Sequence, residues 1–128
     1  MAEFTDYLED KIIDHMLRNQ AYTPPSTVYV ALFTSATNDA GGGTEVSGGA
    51  YVRQAVTLAA ASGGASSNSA AVTFPQATAD WGTITHLALM DALTGGNMLM
   101  HTALDASKTV NNGDTFKINA GDLDVTVD

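Results

Sequence analysis

Two adjacent prolines, Pro24 and Pro25, divide this chain into a short segment with helical periodicity and a long remainder that has none. Each proline withdraws a backbone donor and pushes the residue before it toward extended geometry, so no helix continues through Thr23-Pro24-Pro25-Ser26. Upstream, Phe4, Leu8, Ile12 and Met16 recur every four residues, and Ile13 and Leu17 widen the stripe. Glu3, Asp6, Glu9 and Asp10 crowd the early turns and Arg18 lies in the last, the order that complements a helix dipole. One amphipathic helix over residues 3–19 is the expected outcome.

After Ser26 the pattern is that of strands and turns. Thr27 to Thr34 is β-branched and aromatic and apolar at both parities, which predicts a strand buried on both faces. One side would carry the rest of a sandwich, and the other the N-terminal helix or a neighbouring chain. Asn38 to Gly49 is glycine-rich and aperiodic, a mobile loop by composition. Tyr51 to Leu58 alternates, with Val52, Val56 and Leu58 on one face and Tyr51, Arg53 and Thr57 on the other, predicting one buried and one wet side. Ala59 to Ala70 has no large side chain and reads as a second loop, and Val72 to Pro75 as a short strand stopped by proline. Thr83 to Met90 and Asn97 to Leu104 flank Leu93-Thr94-Gly95-Gly96 and predict a hairpin. Two asparagine-glycine turns bracket Thr115 to Ile118, and Leu123 to Val127 alternates as a half-buried edge strand with Asp124, Thr126 and Asp128 outward. The fold class that follows is mainly β: a small antiparallel β-sandwich (27–128) preceded by one N-terminal amphipathic α-helix, in a single domain spanning 1–128.

Charge narrows the partners. Five Lys+Arg against fourteen Asp+Glu leave a net charge of -9, the wrong sign for a phosphate backbone or an anionic bilayer. No apolar run approaches the roughly 18 residues of a membrane span, and the acidic N-terminus is unlike a signal peptide. A protein made in the cytoplasm, with neither nucleic acid nor membrane as partner, is expected. The lack of cysteine excludes disulfides, thiolate zinc sites and thiol nucleophiles together.

Catalytic chemistry finds few residues to start from. His86 and His101 would face each other across the hairpin if its loop is Ala92 to Gly95, and two facing histidines can hold a metal. No third ligand stands at a fixed spacing, so ordinary strand histidines are the favoured reading and no metal or cofactor is expected. His15, between Lys11 and Arg18 on the helix, reads as solvated or interfacial. Asp114, Asp122, Asp124 and Asp128 lack the alternate spacing of a calcium loop. Gly41-Gly42-Gly43 is followed by neither a Lys-Ser/Thr pair nor a helix, and Ser47 has no hydrolase elbow around it. Trp81 suits either a core or an interface. A non-enzymatic building block is the reading that remains.

Several stretches carry a resemblance: Tyr29-Val30-Ala31-Leu32-Phe33-Thr34, Gly43 to Gln54 (GTEVSGGAYVRQ), Ala71 to His86 (AVTFPQATADWGTITH) and Gly95 to Met100 (GGNMLM). Over nearly its whole length the chain resembles a family of small virion structural proteins of tailed bacteriophages, some labelled capsid decoration (cement) proteins and others tail fibre proteins. The resemblance implies a virion component with a helix ahead of a β-rich body and no catalytic residues. The leading expectation is a cement protein on the outer surface of the phage head, binding the major capsid protein and reinforcing contacts between capsomers. The alternative is a tail fibre or tail-tip component, or a small receptor- or glycan-binding module. Many weak contacts would act together, in a homo-oligomer that is a dimer or trimer. Candidate interface residues are the helix stripe Phe4, Leu8, Ile12 and Met16, the anchors Tyr22, Tyr51, Trp81 and Met98, and Arg53 as a cation for an acidic partner.

Overall fold

The computed structural model describes residues 3–127. The chain is mainly β with one N-terminal helix, and every strand pairing is antiparallel. The strands are β1 (Glu3–Phe4), β2 (Val28–Phe33), β3 (Gln54–Val56), β4 (Ala65–Ser67), β5 (Val72–Thr73), β6 (Gly82–Met90), β7 (Met98–Val110), β8 (Lys117–Ile118) and β9 (Asp124–Thr126), and the helix is α1 (Asp6–Leu17). Five strands form one sheet in the order β1-β7-β6-β2-β3, and two ribbons, β4-β9 and β5-β8, build the layer opposite.

The main core lies between sheet and ribbons. Val30 and Leu32 of β2 and Leu87 and Leu89 of β6 meet Phe74, Phe116, Leu123 and Val125 from the other layer. Phe74 is fully enclosed, edge-on to Phe116 at 5.7 Å. The alternate residues, Ala31 and Phe33 of β2 and Ala88 and Met90 of β6, form a smaller cluster with Met98 on the sheet's second face. The double-faced burial expected of β2 is therefore present.

What covers that second face differs from expectation. The glycine-rich loop is folded back over it, tied to β2 by Thr34 N–H to Thr44 O and Val46 N–H to Leu32 O, and internally by Asn38 Oδ1 accepting from Ala40 and Gly42. Glycine is required for that approach. Gly43 has φ +118°, and a Cβ there would come within 3.0 Å of the Phe33 ring. Composition alone reads this segment as mobile because its ties to β2 join residues ten and fourteen positions apart.

The helix is shorter than its apolar period. Glu3 and Phe4 pair with His101 and Met100 at the outer edge of β7, so the sheet takes two residues that the periodicity assigns to the helix. Thr5 then caps α1, its Oγ1 accepting from Leu8 N–H, and Asp6 and Glu9 occupy the first turn. The other end stops at Leu17, with Arg18 as cap and Asn19 at φ +55°, ahead of the prolines. The segment read as a second loop contains β4, whose Ala and Ser residues carry no apolar signal. Its partner β9 is consequently not an open edge on that side. Asp128 lies outside the described residues.

Candidate functional site

Arg53 is not a free cation. Its side chain is 8% exposed and grips Glu45 with two bonds, Nε to Oε2 and Nη2 to Oε1, each 2.8 Å. Nη1 donates to the carbonyls of Ala92 and Gly95, each at 2.8 Å, so the guanidinium ties the β6–β7 hairpin loop to the segment before β3. Tyr51 completes the cluster: its hydroxyl donates to Glu45 Oε2 at 2.7 Å and accepts from Leu32 N–H at 3.0 Å. Burial alone would raise the Glu45 pKa, but bonds from Arg53 and Tyr51, with the charge of Arg53, outweigh it and hold the carboxyl below its usual range. The bond to Glu45 raises the Arg53 pKa against the opposing effect of burial. Burial first, and then the bond to Glu45, pushes the Tyr51 phenol well up.

Three further proposed anchors also face inward. Tyr51 stacks on Phe74 at 6.1 Å and meets Trp81 edge-on at 5.4 Å. Trp81 is 6% exposed and donates from Nε1 to Gly49 O at 2.8 Å, and Met98 is buried in the second-face cluster. Assigning Tyr51, Arg53, Trp81 and Met98 to a partner surface is thus corrected: each is occupied within the chain. The supposed wet face of the Tyr51 to Leu58 segment holds Tyr51 and Arg53 inside, whereas Val52 is exposed.

The helix stripe divides along its length. Phe4, now in β1, and Leu8 are half-buried and pack with Tyr7 against the main core. Beyond them Ile12, Ile13, Met16 and Leu17 are 37, 49, 69 and 80% exposed, and no residue of α1 is buried. The helix is fastened at its start and projects an apolar end. Tyr22 is half-buried, and its ring meets His15 edge-on at 6.5 Å. Ile13 and Leu17 belong to the surface as fully as Ile12 and Met16, a result the broadened stripe already signals.

The two strand histidines share a face but are not opposite. His86 pairs with Ala103 and His101 with Ala88, a shift of two residues: the hairpin loop is one residue longer than expected, Asp91 pairing with Asn97 and Met90 with Met98, and β7 carries one extra residue, Leu99, opposite the step from Met90 to Leu89. His86 Nδ1 contacts Thr85 Oγ1 at 2.8 Å. His101 is buried, with Nδ1 2.9 Å from Thr37 Oγ1, and Nε2 2.9 Å from Asp39 Oδ1 and 3.9 Å from Glu3 Oε2. Glu3, Thr37, His86 and His101 line one open groove. The acidic and hydroxyl partners of His101 lie at least sixty residues away in sequence, so no local spacing announces them.

Among curated proteins no match was found. The family described as Podophage GP4 fiber I protein gp80 matches the chain over residues 3–126. That span contains the capped helix, the five-stranded sheet and both ribbons, and the chain therefore belongs to this family of bacteriophage virion structural proteins.

Proposed function

We propose that this protein is a fibre subunit of a podophage virion, that it acts by binding without covalent chemistry, and that the apolar end of α1 holds it on the particle. One observation carries the reading: Ile12, Ile13, Met16 and Leu17 lie exposed on neighbouring turns of a helix whose other end is rooted in the body. Side chains of this size yield about 1.5–3 kcal/mol each when fully buried, before the cost of association. Glu9 and Asp10 are exposed on the same helix, Asp14 is paired with Arg18, and the whole chain is acidic, so the matching partner is another virion protein with an apolar socket and a basic surround.

Complementation of a phage lacking the gene with Met16→Glu plus Leu17→Glu tests this reading. The purified variant is expected to keep its wild-type circular dichroism and melting temperature while particles lose the subunit. Particles that incorporate it normally would refute helix anchoring. Copy number separates the locations: a few copies per virion support the fibre reading. Near-stoichiometry with the major capsid protein would overturn that reading in favour of head decoration. A stable dimer or trimer of purified wild type that the double variant dissolves would show the helix to be a self-association seam instead.

A further inference from the structure

We propose that His101, Asp39 and Glu3 form a binding site for a zinc-class divalent cation that fastens the N-terminal arm to the body. The three candidate ligand atoms, His101 Nε2, a carboxylate oxygen of Asp39 and one of Glu3, all lie within 4.8 Å of one another. Tetrahedral coordination at metal–ligand distances of about 2.0–2.2 Å places such atoms roughly 3.3–3.5 Å apart. The observed separations of 2.9 Å from His101 to Asp39 and 3.9 Å from His101 to Glu3 bracket that value. Both carboxylates are more than half exposed, free to adjust by rotation and open to entry from the groove, while the imidazole is 8% exposed and fixed.

The imidazole carries the inference. It stands on β7 between two hydrogen-bonded neighbours, paired with Glu3 on one side and Ala88 on the other, so its backbone is held from both edges. Its Nδ1 lies 2.9 Å from the Thr37 hydroxyl, which rotates to donate or accept. Without a cation, Thr37 donates to Nδ1 and the Nε2–H donates to Asp39. With one bound, Nδ1–H donates to Thr37 Oγ1, and the freed Nε2 lone pair is available to the ion, with carboxylate oxygens of Asp39 and Glu3 at 2.9 and 3.9 Å from the nitrogen. The ring need not turn, and the hydroxyl fills the place of the outer partner that orients metal-binding histidines. Asp39 is fixed independently, its carbonyl accepting from Asp6 N–H at 2.9 Å.

Electrostatics point the same way. Asp39 also lies close to the carboxylates of Asp6 and Glu9, and among the described residues no Lys or Arg forms an ion pair with Glu3, Asp6, Glu9 or Asp39. One nitrogen with two carboxylate oxygens suits zinc better than calcium or magnesium, which prefer oxygen throughout. Glu3 comes from β1, Asp39 from the glycine-rich loop and His101 from β7, so one ion would join three segments distant in sequence.

The test uses full-length, tag-free, chelator-treated protein titrated with zinc by calorimetry, with thermal melts in parallel. One equivalent is expected to bind and to raise the melting temperature. Asp39→Asn and Glu3→Gln, both at exposed side chains, should each weaken binding tenfold or more, and Thr37→Val should weaken it less. Cobalt(II) should give visible ligand-field bands that Asp39→Asn abolishes. Absence of both heat and a melting shift at about 1 mM zinc would overturn the assignment, because any ligand that binds the folded state raises its stability by mass action. So would binding that survives both carboxylate substitutions, or binding lost only with Asp6→Asn plus Glu9→Gln.

Discussion

Replacing Arg53 by methionine keeps most of the side chain's volume and removes four hydrogen bonds: two to Glu45 and one each to Ala92 O and Gly95 O. Glu45, 26% exposed, then keeps only the Tyr51 hydroxyl as a polar side-chain partner. Removing one member of a buried pair costs about 3–5 kcal/mol, and the partial hydration of Glu45 puts this case at the lower end, about 3 kcal/mol. With an unfolding entropy of about 2.1 cal/mol/K per residue, the chain loses about 10 °C in melting temperature. The wild-type advantage should depend on pH. The folded-state pKa of Glu45 is depressed, so its contribution is complete above the unfolded carboxylate value of about 4.3 and disappears as pH falls through the folded value. Chemical denaturation of wild type, Arg53→Met, Glu45→Gln and the double variant at pH 7, at one protein concentration, measures the coupling. The two substitutions should be strongly non-additive, the double variant being less destabilised than the sum by about 1.5 kcal/mol or more. Additive effects, or a loss below about 1 kcal/mol for Arg53→Met, would refute the view of this cluster as a structural clamp.

Two other positions test how the arm and the second layer are held. Thr5 is 1% exposed, and its hydroxyl lies 2.6 Å from Met98 O while accepting from Leu8 N–H; Thr5→Val should cost about 1–2 kcal/mol and speed amide exchange across the first turn of α1 ahead of the sheet. Asn68 is 2% exposed, donating to Ala70 O and Asn119 O and accepting from Leu123 N–H; Asn68→Leu should cost about 2–3 kcal/mol in urea unfolding, because one buried backbone N–H and two partly buried carbonyls lose their partner. An unchanged unfolding midpoint in either case would contradict the assigned role.

The elements legible in the sequence are those fixed by neighbours along the chain. The four-residue apolar period marks α1, the double-sided run of β2 announces burial on both faces, and Leu93-Thr94-Gly95-Gly96 locates the hairpin. Exposure of the far half of the helix stripe was legible only as an apolar face, since periodicity does not say where along a helix the support ends. Residues of ambiguous chemistry were not legible. Arg53 and Trp81 look the same in sequence whether they meet a partner protein or their own chain, and the buried answer rests on Glu45, two hairpin carbonyls and Gly49 arriving in space. β4 gave no local signal because alanine and serine carry little hydrophobic contrast.

Local pattern thus determined the kinds of element present, through backbone preferences that act over a few residues. Tertiary structure decided register and company. A hairpin loop one residue longer than expected and one extra residue in β7 together displaced His86 from His101, and a loop more than sixty residues upstream brought Thr37 and Asp39 to the imidazole instead. The reason is physical: hydrogen bonds and packing between distant segments depend on where the folded backbone places them, and spacing along the chain does not encode that distance.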